Sequence, residues 1–210
     1  MDAFFHHSVL QGWLAKGGPL MYLLLFGSVV SLTLGLERSL HYLRAGLKKN
    51  SSRLVHALIE AGDYEEALAV ADASPGPVAA VLAEGIRHRE ADRALLEESV
   101  CFRGAVELQR LNKRLHVIEL IGRLAPLIGL LGTVMGMVTA FQKVAGAQGA
   151  VDPALLAGGI WEALITTVAG LCVAIPAMTI HHFLEDRVGG FAYQMKHYGT
   201  EAVKHLGQRP

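Results

Sequence analysis

One ionisable side chain interrupts an otherwise uncharged stretch of this 210-residue chain: Glu162, within the 28 residues from Pro153 to Ile180. A charge at the centre of a membrane-crossing helix costs about 2.5–3.5 kcal/mol on insertion scales, so Glu162 is a functional candidate by default. Thr167, near the middle of the same stretch, and Thr133, tenth of the 19 uncharged residues from Leu124 to Gln142, add two hydroxyls. If the two stretches cross in opposite directions, Thr133 and Thr167 fall at similar depth. Centring the later stretch on Thr167 puts Glu162 about 7.5 Å towards one face. Thr166 shares the face of Glu162 more closely, because i+4 is offset by about 40° and i+5 by about 140°. A threonine in such a helix commonly bonds back to its own helix. Only together do the hydroxyls and the carboxyl suggest a polar track through an apolar wall.

Other chemistries fit less well. Gly129, Gly132 and Gly136 resemble a phosphate loop in spacing, but no Lys-Ser/Thr follows and the run is apolar throughout. In lipid, small residues three and four apart let helix backbones approach closely. Gly132 and Gly136 form such a pair, and Ala163, Thr167, Gly170, Ala174 and Ala177 form a second small-residue face. The two faces are expected to pack on each other or on neighbouring subunits. His181-His182 with Glu185 has spacing that would permit a metal, yet histidines at the end of a membrane helix are better read as interfacial residues complementing a C-terminal dipole. His6-His7 carries no more weight. Cys172 lies in a span and Cys101 outside, so they are expected to be unpaired and structural. No nucleophile constellation is present; neither an enzyme nor a cofactor or metal site is expected.

The elements that position these residues follow from composition. Hydrophobic residues make up 52% and charged residues 18%, fewer charges than the roughly one quarter usual in soluble domains. The 19 basic and 19 acidic residues cancel, which argues against nucleic acid as a partner. Gly17–Leu36, Leu124–Gln142 and Pro153–Ile180 are each long enough to cross a hydrocarbon core. The first lacks a basic start and exceeds a signal core in length, so it reads as a retained anchor. Thirteen Lys or Arg lie from Arg38 to Arg123 and four follow Ile180, against Lys16 and Lys143 alone elsewhere. The positive-inside rule then places the insert and C-terminus in the cytoplasm.

The expected organisation is an all-α integral membrane protein. A periplasmic amphipathic arm spans 1–16, anchored by Phe4, Phe5 and Trp13, and the first transmembrane helix spans 17–38. A cytoplasmic helical region covers 39–117, the second span 118–142, a periplasmic loop 143–156, the third span 157–180 and a cytoplasmic helix 181–210. Within the insert, helices are expected from Ser51 or Ser52 to Ala61, from Tyr64 to Ala73 with Asp63 as N-cap, and from Val78 to His88. From Asp92 the helical pattern runs unbroken to Gln142, and Glu185–Gly207 prolongs the third span, so spans two and three should continue as long cytoplasmic helices. Gly62–Leu68 resembles one tetratricopeptide helix start, but without a second copy it is better read as a short helical hairpin.

Two segments carry a family resemblance. Ala125-Pro126-Leu127-Ile128-Gly129-Leu130-Leu131-Gly132-Thr133-Val134-Met135-Gly136-Met137, with Phe141, is similar to the second-span signature of the ExbB/TolQ/MotA proton-channel family. Gly159-Ile160-Trp161-Glu162-Ala163-Leu164-Ile165-Thr166-Thr167, continuing through Gly170-Leu171 to Ala174-Ile175-Pro176-Ala177, is similar to its third-span signature. Three spans fit the ExbB or TolQ branch better than the four usual in MotA. The resemblance implies a homopentamer in the bacterial inner membrane, in contact with lipid. Its pore would be lined by Thr133, Thr167, Glu162 and the adjacent Thr166, with Pro126, Gly129, Gly132, Gly136, Ala163, Gly170 and Ala174 packing the helices. It also implies two copies of a single-span ExbD- or TolR-like partner. No Asp occurs in any span, so that partner would supply the carboxylate that cycles. A periplasmic TonB-like protein would receive the motion and open outer-membrane transporters. The competing expectations are a TolQ-like role in envelope integrity and a non-conducting scaffold. A solute transporter subunit is disfavoured by three spans without an internal repeat.

Overall fold

A computed structural model describes residues 18–46, 49–74, 76–146 and 153–207. The expected N-terminal arm, including His6 and His7, and the middle of the 143–156 loop lie outside these residues. Among the described residues every regular element is helical: α1 Gly18–Gly46, α2 Lys49–Ala61, α3 Tyr64–Asp72, α4 Pro77–Arg87, α5 Arg93–Asn112, α6 Leu115–Ala145 and α7 Pro153–Leu206. Three helices, α1, α6 and α7, are long and apolar enough to cross a membrane. The all-α membrane architecture read from the sequence is therefore present.

The chain divides into two compact units. One comprises Met1–Gly35 and His116–His181, the other Leu36–Leu115 and His182–Pro210. In the first, the three apolar helices pack through small residues. Met21 and Leu24 of α1, Ala125 of α6, and Ile165 and Ala174 of α7 form its buried cluster. Large apolar side chains point outwards instead: Phe26 on α1, Leu127, Leu130 and Phe141 on α6, and Trp161 and Ile175 on α7 are all exposed. In water such a surface would drive aggregation; around a helical membrane unit it suits lipid.

The second unit follows the opposite rule. Val55 and Ile59, Ala67 and Ala71, Leu82 and Ile86, Leu96 and Val100, and Met195, Val203 and Leu206 bring five helices into one core. Helix α4 is apolar on most sides and is buried at eight of its positions, starting from a proline in its first turn. The α2–α3 hairpin turns at Gly62, whose φ of 86° is the left-handed conformation glycine adopts without penalty. The Asp63 amide bonds to the Leu58 carbonyl and the Gly62 amide to that of Ile59, closing a Schellman motif. Asp63 precedes α3 as expected, but its side chain makes no capping bond; Glu65 and Glu66 meet the helix dipole instead. Helix α2 begins at Lys49, ahead of the serines expected to cap it. Cys101 and Cys172, read as structural, are both exposed.

One larger expectation fails. The pattern from Asp92 to Gln142 is not a single helix: α5 ends at Asn112 and α6 starts at Leu115. Side chains take over the backbone bonding there. The Tyr42 hydroxyl donates to the Leu111 carbonyl at 2.9 Å, and the Asn112 amide side chain donates to the Leu108 carbonyl at 3.1 Å. Arg114 is held by Glu37. Helix α7, by contrast, continues unbroken for 54 residues. Tyr42 is only 4% exposed, so Tyr42→Phe leaves a buried carbonyl without its partner. We expect a loss of about 1–3 kcal/mol, read as a lower unfolding midpoint of the detergent-solubilised protein; an unchanged midpoint would show that the hydroxyl holds nothing.

Candidate functional site

Helices α6 and α7 run antiparallel along a seam of small residues. A Cβ at Gly136 would sit 2.8 Å from the Ala163 side chain, and one at Gly132 would meet the Thr166 Cβ at 2.6 Å. One at Gly129 would lie 2.8 Å from the Thr166 carbonyl oxygen and 3.0 Å from the Thr167 Cα. From the other side, a Cβ at Gly170 would strike the Ala125 carbonyl oxygen at 2.6 Å. Any larger residue at these positions would separate the helices. Ala163, Thr166, Gly170, Ala174 and Ala177 are buried along the same line. Pro126 is half-buried beside it and leaves the Gly122 carbonyl without its usual amide donor.

The close approach puts hydroxyls on a backbone carbonyl. The Thr167 Oγ1 donates across the seam to the Gly129 carbonyl at 3.2 Å. The buried Thr166 Oγ1 lies 2.7 Å from the Ala163 carbonyl of its own helix and 3.1 Å from that of Gly129. Having one hydrogen, it donates to one of them at a time. Gly129 is thus the point on which both threonines converge, a role no sequence signal announced because a carbonyl belongs to every residue. Thr133 donates to the Leu130 carbonyl of its own helix at 2.7 Å. Since Gly132 meets Thr166, Thr133 and Thr167 differ in depth by roughly 3 Å.

Glu162 is exposed, one turn from Thr166, and both line a cleft of about 360 Å³. Gly132, Gly136, Thr139 and Lys143 of α6 and the first residues of α1 complete its walls. Thr139 and Lys143 were not singled out by the sequence. Thr133 faces elsewhere, into an open apolar groove with Val134, Met137 and Phe141. Within one chain, then, Glu162 and Thr166 share a cavity, Thr166 and Thr167 share an acceptor, and Thr133 stands apart on α6. The arrangement offers proton-exchanging and hydrogen-bonding groups without a nucleophile–base pair.

A model of the MotA/TolQ/ExbB proton channel family matches residues 73–197. The chain is 30% identical over 176 residues to a biopolymer transport protein ExbB homolog of Methanothermobacter thermautotrophicus, covering 82% of this chain and 62% of that protein. It is 34% identical over 158 residues to the biopolymer transport protein exbB1 of Vibrio cholerae, covering 73% and 63%. An ExbB-like protein of Synechocystis is 33% identical over 184 residues, covering 80% and 68%. The chain thus spans a little under two thirds of the length of the first two relatives.

The seam makes a graded prediction. Gly129→Ala and Gly170→Ala place a methyl against backbone and should lower the unfolding midpoint by several degrees. Gly158→Ala, with nothing within 4 Å of its Cβ, should leave the midpoint unchanged. Equal midpoints for all three would refute the close approach.

Proposed function

The chain belongs to the MotA/TolQ/ExbB proton channel family, and from that premise we propose that it is the ring-forming subunit of an ion-driven motor, not an enzyme. In this reading it sits in the bacterial inner membrane with a periplasmic N-terminus and a cytoplasmic C-terminus. Five copies enclose a pore holding two single-span, ExbD-like partners, and a TonB-like periplasmic protein carries the motion to outer-membrane transporters.

The observation that carries the reading is the convergence of Thr166 and Thr167 on Gly129, one turn from the exposed carboxyl of Glu162. Polar groups placed at the depth of a membrane span act on whatever charge enters there. The threonine hydrogens are engaged with backbone carbonyls, so the hydroxyls face a visitor with lone pairs. A protonated partner carboxyl can donate to them; a carboxylate finds no donor among these hydroxyls. The wall therefore accepts the neutral form, and one proton moved through 100 mV supplies about 2.3 kcal/mol to drive each step. Glu162, at the cleft, exchanges protons with the visitor, and the glycine seam keeps α6 and α7 together as the visitor moves past.

The test uses the complex isolated from native membranes through a tag on this chain. After reconstitution into vesicles, proton uptake is followed with an internal pH dye under an imposed potential. Thr167→Val and Glu162→Gln should each reduce flux by about 10²-fold or more, the scale on which proton-transfer groups act, while the complex still assembles. Wild-type flux in both assembled variants would leave a scaffold and end the motor reading.

A further inference from the structure

Four polar or charged residues are buried among the described residues: Ser31, Glu107, Thr166 and His181. Ser31 bonds to the Ser28 carbonyl, Glu107 is paired with Arg103 and Arg110, and Thr166 belongs to the seam. His181 is left without a role. The sequence suggested that it complements the C-terminus of its helix, but α7 continues to Leu206, so that end does not lie near it.

The side chain of His181 is 10% exposed, and its Nε2 lies 3.9 Å from Glu119 Oε2 on α6. The same oxygen lies 3.6 Å from the Nδ1 of His116, whose side chain is 75% exposed, while Glu119 itself is 26% exposed. The other carboxylate oxygen is 2.6 Å from Arg123. An imidazole, a carboxylate and a second imidazole therefore form a line leading from the buried seam to the surface. The gaps exceed the 3.2 Å upper end of a direct N–H···O bond by about 0.4 and 0.7 Å, which a rotation of the side chains closes. Other charged residues follow closely along the chain. Along α7, His182 pairs with Asp186 and Glu185 follows His181 by one turn. On α1, Glu37 and Arg38 come just after Gly35, the residue facing Ile180.

Depth gives the line its meaning. Glu162 and His181 are nineteen residues apart on α7 with no charged residue between them. At 1.5 Å per residue that is about 28 Å, close to the roughly 30 Å of a hydrocarbon core. The uncharged interval between the two ionisable positions is thus about as long as one hydrocarbon core is thick.

We propose that His181, Glu119 and His116 form the proton-release relay at the end of the span opposite Glu162. This rests on the channel reading above. A proton delivered by water or by the partner's carboxyl adds to the unprotonated ring nitrogen of His181 and makes an imidazolium whose Nε2–H faces the Glu119 carboxylate. Glu119 takes that proton as its neutral acid and passes it to His116, which releases it to bulk water. His181 and His116 return to neutral and Glu119 to carboxylate; one proton enters, one leaves, and no electron moves. Imidazole suits the task because its ordinary titration lies between pH 5 and 8, and Arg123 balances the carboxylate between transfers.

The same native complex in vesicles tests the relay. His181→Gln and Glu119→Gln should each slow proton flux by about tenfold or more and flatten its dependence on the pH of the release side between 5 and 8. Imidazole added to His181→Ala should restore flux, which a purely structural histidine would not allow. Wild-type flux and pH dependence in the assembled variants, or no rescue by imidazole, overturns the relay. If His181→Gln fails to assemble, His116→Gln at its exposed position decides: an unchanged pH profile overturns the proposal. Glu162→Gln, measured alongside, separates the two readings. If it abolishes flux while the relay variants behave as wild type, the relay alone falls; if it leaves flux intact, the channel reading falls.

Discussion

The first unit depends on how closely two backbones approach. Helices in lipid gain nothing from hiding apolar side chains, since the solvent is as apolar as they are. What remains is dispersion between closely fitted surfaces and hydrogen bonds across the contact. Gly129, Gly132, Gly136 and Gly170 remove the side chains that would hold α6 and α7 apart. Only then can the Thr167 hydroxyl reach a carbonyl on the facing helix. A single methyl at Gly129 would press on the Thr166 carbonyl and the Thr167 Cα together, so the packing and the polar site share one cause. Helix α1 joins by the same device, with Gly27 against Ile121 and Gly35 against Ile180.

The second unit is stabilised differently. Its helices are short, its core is built from Val, Leu and Ile, and its surface carries ion pairs such as Arg87 with Asp72 and Glu84. Exposed pairs of this kind contribute little, about 0–1 kcal/mol each, so the apolar core dominates. Even its aromatic contacts, Tyr42 with Phe191 and His56 with Tyr198, lie where a soluble protein would place them. One chain therefore carries two solvation regimes, and the exposed Leu and Phe of the first unit are as consistent with lipid as the exposed Glu and Arg of the second are with water.

Much of this was legible in the residues. Apolar runs of 19 to 28 residues fix which helices can span, and small residues at intervals of three and four mark the faces of α6 and α7. The break at Lys113–Arg114 was not legible, because the donor that meets the Leu111 carbonyl there is Tyr42, 69 positions away, and no local period encodes a long-range hydrogen bond. Local pattern also misled at Asp63, whose position suits a capping residue although its side chain makes no capping bond. The threonines were chosen for their hydroxyls, but the acceptor that unites two of them is a glycine carbonyl, and backbone atoms leave no trace in composition. The dipole reading of His181 failed for a related reason: its neighbours in sequence suggested an end of α7 there, whereas the helix runs on to Leu206 and the ring lies 3.9 Å from Glu119 of another helix.

The engaged state of the hydroxyls bears on how a proposed channel avoids leaking. A carboxylate moving along an apolar wall would bring its charge into a medium that penalises it by several kcal/mol. Thr133, Thr166 and Thr167 could relieve that penalty only by donating, and their hydrogens are held by the Leu130, Ala163 and Gly129 carbonyls. Withdrawing them would cost a bond whose acceptor is then left bare. A neutral acid faces no such barrier, because it brings its own hydrogen and needs only a lone pair. Passage is therefore conditional on protonation, and protonation is available only where ionisable groups meet water. Along α7 that means the neighbourhoods of Glu162 and His181, with small and apolar residues between them apart from the engaged threonines. In the motor proposed above, such a site would couple proton transfer to displacement by making the charged form costly along the whole interval, not by binding the proton tightly at any one place.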